Sequence, residues 1–381
     1  MTESVKQKLV PLVVFAIVFF LMFGSRSDRE HTKPRFHDKP YSFKKTVYPG
    51  AVWPKELSDA EINEMAFHQG DLYLATEKGL VRFDFDSDQA IRYQLHADMP
   101  FEWWRSMTIS ESKVVATTSV AQGSTGGTYA GSHVIDLDTL ELRALERRIT
   151  GQVFHKGRLY QLYKKKLLIR EPTQDFVVTD SVELTDYVHK GCLTGAPLAT
   201  NEAVWVPTWG RATSSGTLYS ATSGECGLIK LPSEGEGVAV IKKGEAMSYH
   251  TTQSSFSDDE GLLLLHPTKT RSVSYFHEPD QSWQRVDSSS LAGALSKNYF
   301  WLSYRGAIGY LRNSSASRRI TVETEYLENR YVSAIAAREA SPVNIEVWIA
   351  YRVKNYDGKG HYSVESTLEK HVVDLLKKRS G

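Results

Sequence analysis

From about residue 60 onward short apolar runs alternate with polar turns, and one spelling recurs. "GDLYLAT" (70–76) is followed by "SKVVATT" (112–118), "GRLYQLY" (157–163), "EAVWVPT" (202–208), "EGLLLLH" (260–266), "NYFWLSY" (298–304) and "IEVWIAY" (345–351). Apolar-rich runs of this length between turn formers read as strands. A further short run precedes each copy, such as "EMAFH", "QVFHK" or "LAGALS". After most copies comes a third run, "GLVRFDF", "GSHVIDL", "GTLYSAT", "RSVSYF" or "AIGYLR", and in places a fourth, "AIRYQL" or "SWQRVD". The residues 69–84 thus predict a hairpin formed by the second and third strands of a repeated unit.

The apolar cores of the copies begin at Leu72, Val114, Leu159, Val204, Leu262, Phe300 and Val347, at intervals of 42, 45, 45, 58, 38 and 47 residues. About four short strands in a period of this size mark a β-propeller blade. One such sheet cannot bury both faces alone, whereas a closed ring covers each face with a neighbour. The expectation is an all-β, seven-bladed β-propeller over residues 51–366. The 58-residue interval predicts a protruding excursion around "SATSGECGLIKLPSEGEG" (220–237). Tyr73, Trp205, Trp301 and Trp348 are assigned to the packing between blades.

"LYLATEKGLVRFD" (72–84) also resembles the repeat of the propeller sensor domains of two-component regulators. In that repeat a Trp- or Tyr-bearing strand ends in Ala-Thr and Gly-Leu opens the next. "VWVPT" and "VWIAY" match in part. The resemblance implies a fold and carries over no function.

The N-terminus departs from this pattern. Residues 9–24, "LVPLVVFAIVFFLMFG", are uncharged and follow Lys6 and Lys8, the layout of a secretory leader. Phe23 stands where a cleavage site needs a small residue, so an uncleaved single-pass anchor is expected after a short tail, residues 1–8. Flanking charges (Arg26, Arg29, Lys33, Arg35 and Lys39) favour a cytoplasmic domain, whereas the leader-like layout favours export. The reading taken is export, with the propeller on the periplasmic or extracellular side. Pro34, Pro40 and Pro49 among dense charges make residues 25–50 an expected linker, and residues 367–381 an expected basic helix or tail. Two cysteines, Cys192 and Cys226, allow one disulfide and leave the compartment open.

The chain has 381 residues, 41% hydrophobic and 24% charged, with a net charge of +1, enough for a proper core and no global pull toward nucleic acid. The placement of charge is more telling, because alternate turns of a blade lie on opposite faces of the disc. Turns after second strands hold Lys78, Lys164, Lys165, Lys166, Arg211, Lys269, Arg271, Arg305, Arg352 and Lys354. Turns before them hold Asp71, Glu111, Glu202, Asp258, Asp259 and Glu260, with Lys113, Lys156, Arg158 and Lys297 among them. One basic face is expected. Aromatics accompany the cations in "FEWWRS" (101–106), placed in the connection between the first two blades, and in "TWGRA", "SYRG" and "AYRV". Trp104, Arg105, Trp209, Arg211, Tyr304, Arg305 and Arg352 are therefore the candidate binding residues. Arginine beside an aromatic ring suits an anionic partner through bidentate hydrogen bonds and stacking.

The function expected is a membrane-anchored binding or scaffolding module for a protein or an anionic glycan, with no nucleic acid, cofactor, metal or catalytic residue. The rival is a carbohydrate-active lyase or hydrolase on an anionic polysaccharide, built on His250, His266 and His277 with Tyr249 and Tyr275 nearby. No nucleophile elbow, phosphate loop, H-E-x-x-H or paired-Cys motif supports it.

Overall fold

The computed structural model describes residues 41–95, 102–122, 127–147, 149–188, 192–210, 226–232, 239–242, 255–266, 272–287, 290, 292–303, 306–312, 319–323, 330–356 and 362–376. A leading strand β1 (Tyr41–Pro49) precedes blade 1, made of β2 (Ile62–His68), β3 (Asp71–Thr76), β4 (Gly79–Asp84) and β5 (Gln89–Leu95). Blade 2 holds β6 (Glu102–Ser110), β7 (Lys113–Gln122), β8 (Gly127–Asp136) and β9 (Glu141–Arg147). Blade 3 holds β10 (Ile149–His155), β11 (Arg158–Tyr163), β12 (Lys166–Glu171) and β13 (Val177–Glu183). In blade 4 the inner strand is split into β14 (Cys192–Thr194) and β15 (Leu198–Ala199), beside β16 (Ala203–Gly210), β17 (Gly227–Pro232) and β18 (Ala239–Lys242). Blade 5 holds β19 (Ser255–Ser257), β20 (Gly261–His266), β21 (Ser272–His277) and β22 (Ser282–Asp287). Blade 6 holds β23 (Gly293–Ser296), β24 (Tyr299–Ser303), β25 (Gly306–Leu311) and β26 (Arg319–Glu323). Blade 7 has three strands, β27 (Arg330–Ser341), β28 (Asn344–Tyr356) and β29 (Tyr362–Asp374).

The protein is a seven-bladed β-propeller, and the seven recurring runs are the second strands of its blades. First strands pack in a ring, β2 on β6, β6 on β10, β10 on β15, β15 on β19, β19 on β23, β23 on β27 and β27 back on β2. Tyr73, Trp205, Trp301 and Trp348 are buried between blades, as the pattern required.

Among the described residues no strand is shared between blades 7 and 1. An irregular segment closes the seam instead. Leu57 and Ala60 are fully buried there with Leu72, Phe83, Ala334 and Trp348, and Tyr48, Trp53 and Leu368 pack around them. Ser366 N donates to Ser58 O, and Arg338 donates to Gly70 O across the seam. The leading strand β1 adds to the outer edges of both β5 and β9, joining blades 1 and 2.

Several boundaries differ from the expectation. The linker of residues 25–50 ends in a strand, since 41–49 find an open edge on β5. The tail of residues 367–381 begins inside β29, whose register on β28 runs unbroken from Tyr362 to Asp374. "FEWWRS" belongs mostly to β6, not to a connection. "GTLYSAT" (216–222), expected as a third strand, lies outside the described residues. That role falls to "GLIKLP", inside the expected excursion, with Val204 opposite Leu231. The proposed anchor, residues 9–24, also lies outside them. Among the described residues no helix is long and apolar enough to cross a membrane.

A polar group five residues before the second-strand aromatic recurs around the ring. Trp205 Nε1 donates to Thr200 Oγ1 at 3.2 Å and Trp301 Nε1 to Ser296 Oγ at 3.1 Å. In blades 1 and 3 a histidine takes the place, His68 edge-on to Tyr73 and His155 edge-on to Tyr160. A two- or three-residue turn sets this spacing, because it places the two side chains on the same face of the hairpin.

Candidate interaction face

The disc is asymmetric. First and second strands are joined by residues 69–70, 111–112, 156–157, 200–202, 258–260, 297–298 and 342–343, so one face carries only short turns between them. On the opposite face β16 ends and β17 begins with 16 residues of sequence between them, and β18 ends and β19 begins with 12. Two hairpins also reach further on that side. Strands β7 and β8 have 10 residues each and β28 and β29 have 13 each, against 6 in β3 and β4. The longer pair exceeds β3 by about 20 Å of strand.

First strands change register near this long-loop face. Pairing skips one residue at Asn63, Arg105, Thr150 and Ser333. Such an irregularity re-aims a side chain and frees a backbone group. Thr150 Oγ1 donates to Leu162 O at 3.1 Å and Ser333 Oγ to Ala350 O at 3.3 Å, so the hydroxyls occupy second-strand carbonyls. Asn63 Nδ2 donates across blades to Trp104 O at 2.8 Å. Beside it, Glu64 accepts from Met107 N at 2.8 Å, and burial pushes its carboxyl up to about 7.

Two of the candidate residues are not where the sequence reading put them. Trp104 is fully buried with Tyr73, Tyr93 and Val114, because its position on β6 turns it into the packing between blades 1 and 2. It cannot stack on a partner. Arg352 lies within β28 instead of a turn, and its guanidinium pairs with Glu61. Lys78 likewise pairs with Asp59. Both acids come from the segment that closes the seam, so part of the basic face is neutralised by the fold.

Arg105 and Trp209 have described backbones, in β6 and β16, but their side chains lie outside the described residues, as do Arg211, Tyr304 and Arg305 altogether. The strands before them locate the positions. Gly210 ends β16 and Ser303 ends β24, both toward the long-loop face.

Of the histidines of the rival reading, His266 and His277 do not converge. His266 and His277 lie at opposite ends of the β20–β21 hairpin, about 17 Å apart along the strands. His277 Nδ1 is 2.8 Å from Asp280 Oδ1. Tyr275 is buried, accepts from Arg312 Nη1 at 3.1 Å, and has its hydroxyl pushed up to about 12 by desolvation, so it is not poised as a base at neutral pH. His250 and Tyr249 lie outside the described residues. Among those described, no three His, Cys, Asp or Glu are placed to hold a metal.

The sequence reading missed the closed polar clusters under the opposite face. Glu278 is buried, bonded to the Thr200 hydroxyl and 2.9 Å from Lys230 Nζ, which sits 5.3 Å from the centroid of the Trp205 ring. Ser132, Gln152, Gln161 and Arg170 form a second buried chain between blades 2 and 3. Both are buried networks of linked polar groups, of the kind that hold blades in register.

No family model and no curated protein matches the sequence. Solved structures do match, as propellers. The β-propeller domain of the Trilobed protease from Pyrococcus furiosus, described as having an open velcro topology, aligns with a TM-score of 0.50 at 12% identity, over 83% of this chain and 95% of that one. The uncomplexed acylaminoacyl peptidase of Pyrococcus horikoshii aligns with a TM-score of 0.50 at 12% identity, over 86% of this chain and 54% of that one. Kluyveromyces lactis Hsv2 aligns at 0.47 and 9% identity, over 83% and 99%. At these identities the likeness shows the propeller fold alone.

Proposed function

We propose that the chain is a membrane-anchored binding or scaffolding module that recognises a protein or an anionic glycan through its long-loop face. The asymmetry of the disc carries this reading. A scaffold that needs only to close its ring has no use for residues 211–226 or for two overlong hairpins on one side, and loops held by a rigid scaffold are where recognition resides. Trp209 stands near the end of β16, Arg211, Tyr304 and Arg305 follow strands that end on that face, and Arg105 stands near the start of β6 on the same side, so these remain the residues proposed for contact. The apolar run of residues 9–24 supports the anchor. Export is supported by the Cys192–Cys226 disulfide, whose Cα atoms are 5.9 Å apart, since such bonds persist in oxidising compartments.

Residues 41–381 form one compact unit, which makes the soluble domain the reagent of choice. Capture with this domain, followed by mass spectrometry of proteins and glycans, should return a partner. Replacing Arg211 and Arg305 together with Gln should weaken its binding at least tenfold and flatten the salt dependence, with little change in melting temperature. Undiminished binding by that variant, or an equal loss from Lys156→Gln with Lys297→Gln on the short-turn face, would remove the assignment.

A further inference from the structure

Among the described cations of the turns after second strands, Lys78 and Arg352 are neutralised, whereas Lys164, Lys165 and Lys166 make no ion pair with any described residue. Their turn is nonetheless held in place. Thr194 Oγ1 donates to Lys164 O at 3.3 Å and Leu184 N to Lys165 O at 2.8 Å, which draws β14 and residues 184–188 against it. Apolar side chains surface at this point. Leu193 is 44% exposed and Tyr187 37%, while Leu184, Val188 and Cys192 beside them are buried. Lys164 Nζ lies 5.3 Å from the centroid of the Tyr163 ring. Exposed Glu183 and Asp186 border the patch, so its attraction for anions is modest and the apolar pair must contribute.

We propose that this blade 3–blade 4 patch rests on the anionic headgroup layer of a lipid membrane. Several lysines beside exposed Leu and Tyr form the composition of an interfacial contact, cations over the headgroups and apolar tips below them. The inference rests on the reading that residues 9–24 anchor the chain. Residues 25–40 then span at most about 55 Å, so β1 never leaves the neighbourhood of the bilayer and a patch that binds headgroups by itself stays within reach of them. A soluble polyanion would use the same lysines but would have no need of Leu193 and Tyr187.

The test uses the 41–381 domain without its anchor, so it succeeds or fails independently of the anchor itself, which membrane fractionation of the full chain examines. The domain should co-sediment with vesicles containing phosphatidylglycerol and not with phosphatidylcholine alone, and salt should release it. Lys164→Gln with Lys166→Gln should lower the partition about tenfold or more. Leu193→Ser should lower it at every salt concentration. Lys156→Gln with Lys297→Gln should leave it unchanged. Absence of binding to the anionic vesicles overturns the proposal, as does an equal loss from the control pair. Binding of soluble polyphosphate in preference to vesicles, untouched by Leu193→Ser, would reassign the lysines to a soluble anion and overturn the membrane assignment.

Discussion

A tryptophan buried on a second strand needs an acceptor for its indole N–H, and the hydroxyl five residues earlier supplies it in blades 4 and 6. In blade 7 the position equivalent to Ser296 is Arg338, opposite Glu346, which it pairs with, and Trp348 Nε1 is buried with no hydrogen-bond partner among the described residues. Ser296→Ala should therefore cost about 1–3 kcal/mol in urea unfolding, the penalty for a stranded donor. Glu64 makes the second residue-scale prediction. Its carboxyl titrates at about 7 in the folded protein against 4.5 when unfolded, so the folded state retains a proton that the unfolded chain loses first. Stability should fall as pH rises from about 4.5 to 7 and then level off, a total of about 3 kcal/mol from this group. In Glu64→Gln that contribution disappears and the Met107 N–H keeps an acceptor. Melting temperatures at pH 5 and pH 8 should show the variant ahead of the parent only at the higher pH.

At the scale of elements, the hairpin of residues 69–84 shows what local sequence specifies. Thr76 Oγ1 donates to Gly79 O and accepts from Lys78 N, and Gly79 has φ +116°, where a Cβ would meet the Tyr93 carbonyl oxygen. Thr208 and Gly227 repeat this closure in blade 4, across residues 209–226. The signal for β17 was thus present in the sequence as a Thr followed by Gly-Leu. "GTLYSAT" stands nearer to β16 and alternates equally well, so alternation alone favours it as the third strand. Side-chain periodicity does not measure loop length, whereas the Thr–Gly pairing does. The Cys192–Cys226 disulfide holds the base of the same excursion, joining β14 to the start of β17. Replacing both cysteines with Ser should cost about 3–4 kcal/mol, read as a lower urea midpoint with the slope retained.

On the whole-molecule scale, closure distinguishes this ring from one fastened by a shared strand. The seam between blades 7 and 1 relies on the packing of residues 48–60, and Leu57 sits fully buried in it although it belongs to a connection. Leu57→Ala should cost about 2–5 kcal/mol in thermal or urea unfolding, the range for a core leucine. A value below about 1 kcal/mol would show that the ring closes without this segment. The same segment supplies Asp59, and Glu61 follows it directly, so seam closure and the charge of the long-loop face are set together.

The sequence by itself determined the number of blades, the second strand of each, and the burial of Tyr73, Trp205, Trp301 and Trp348, because a strand's partner and its apolar face are encoded within about 45 residues. It also marked which turns are cationic. Only the tertiary structure decided which of those cations remain unpaired. Arg352 meets Glu61 across 291 positions, a contact that depends on the ring bringing its ends together, and Trp104 disappears between blades 1 and 2, a burial that depends on how one blade stacks on the next. Local periodicity specifies the sheet; the identity of the surface depends on non-local neighbours, which no repeat within a single blade can encode.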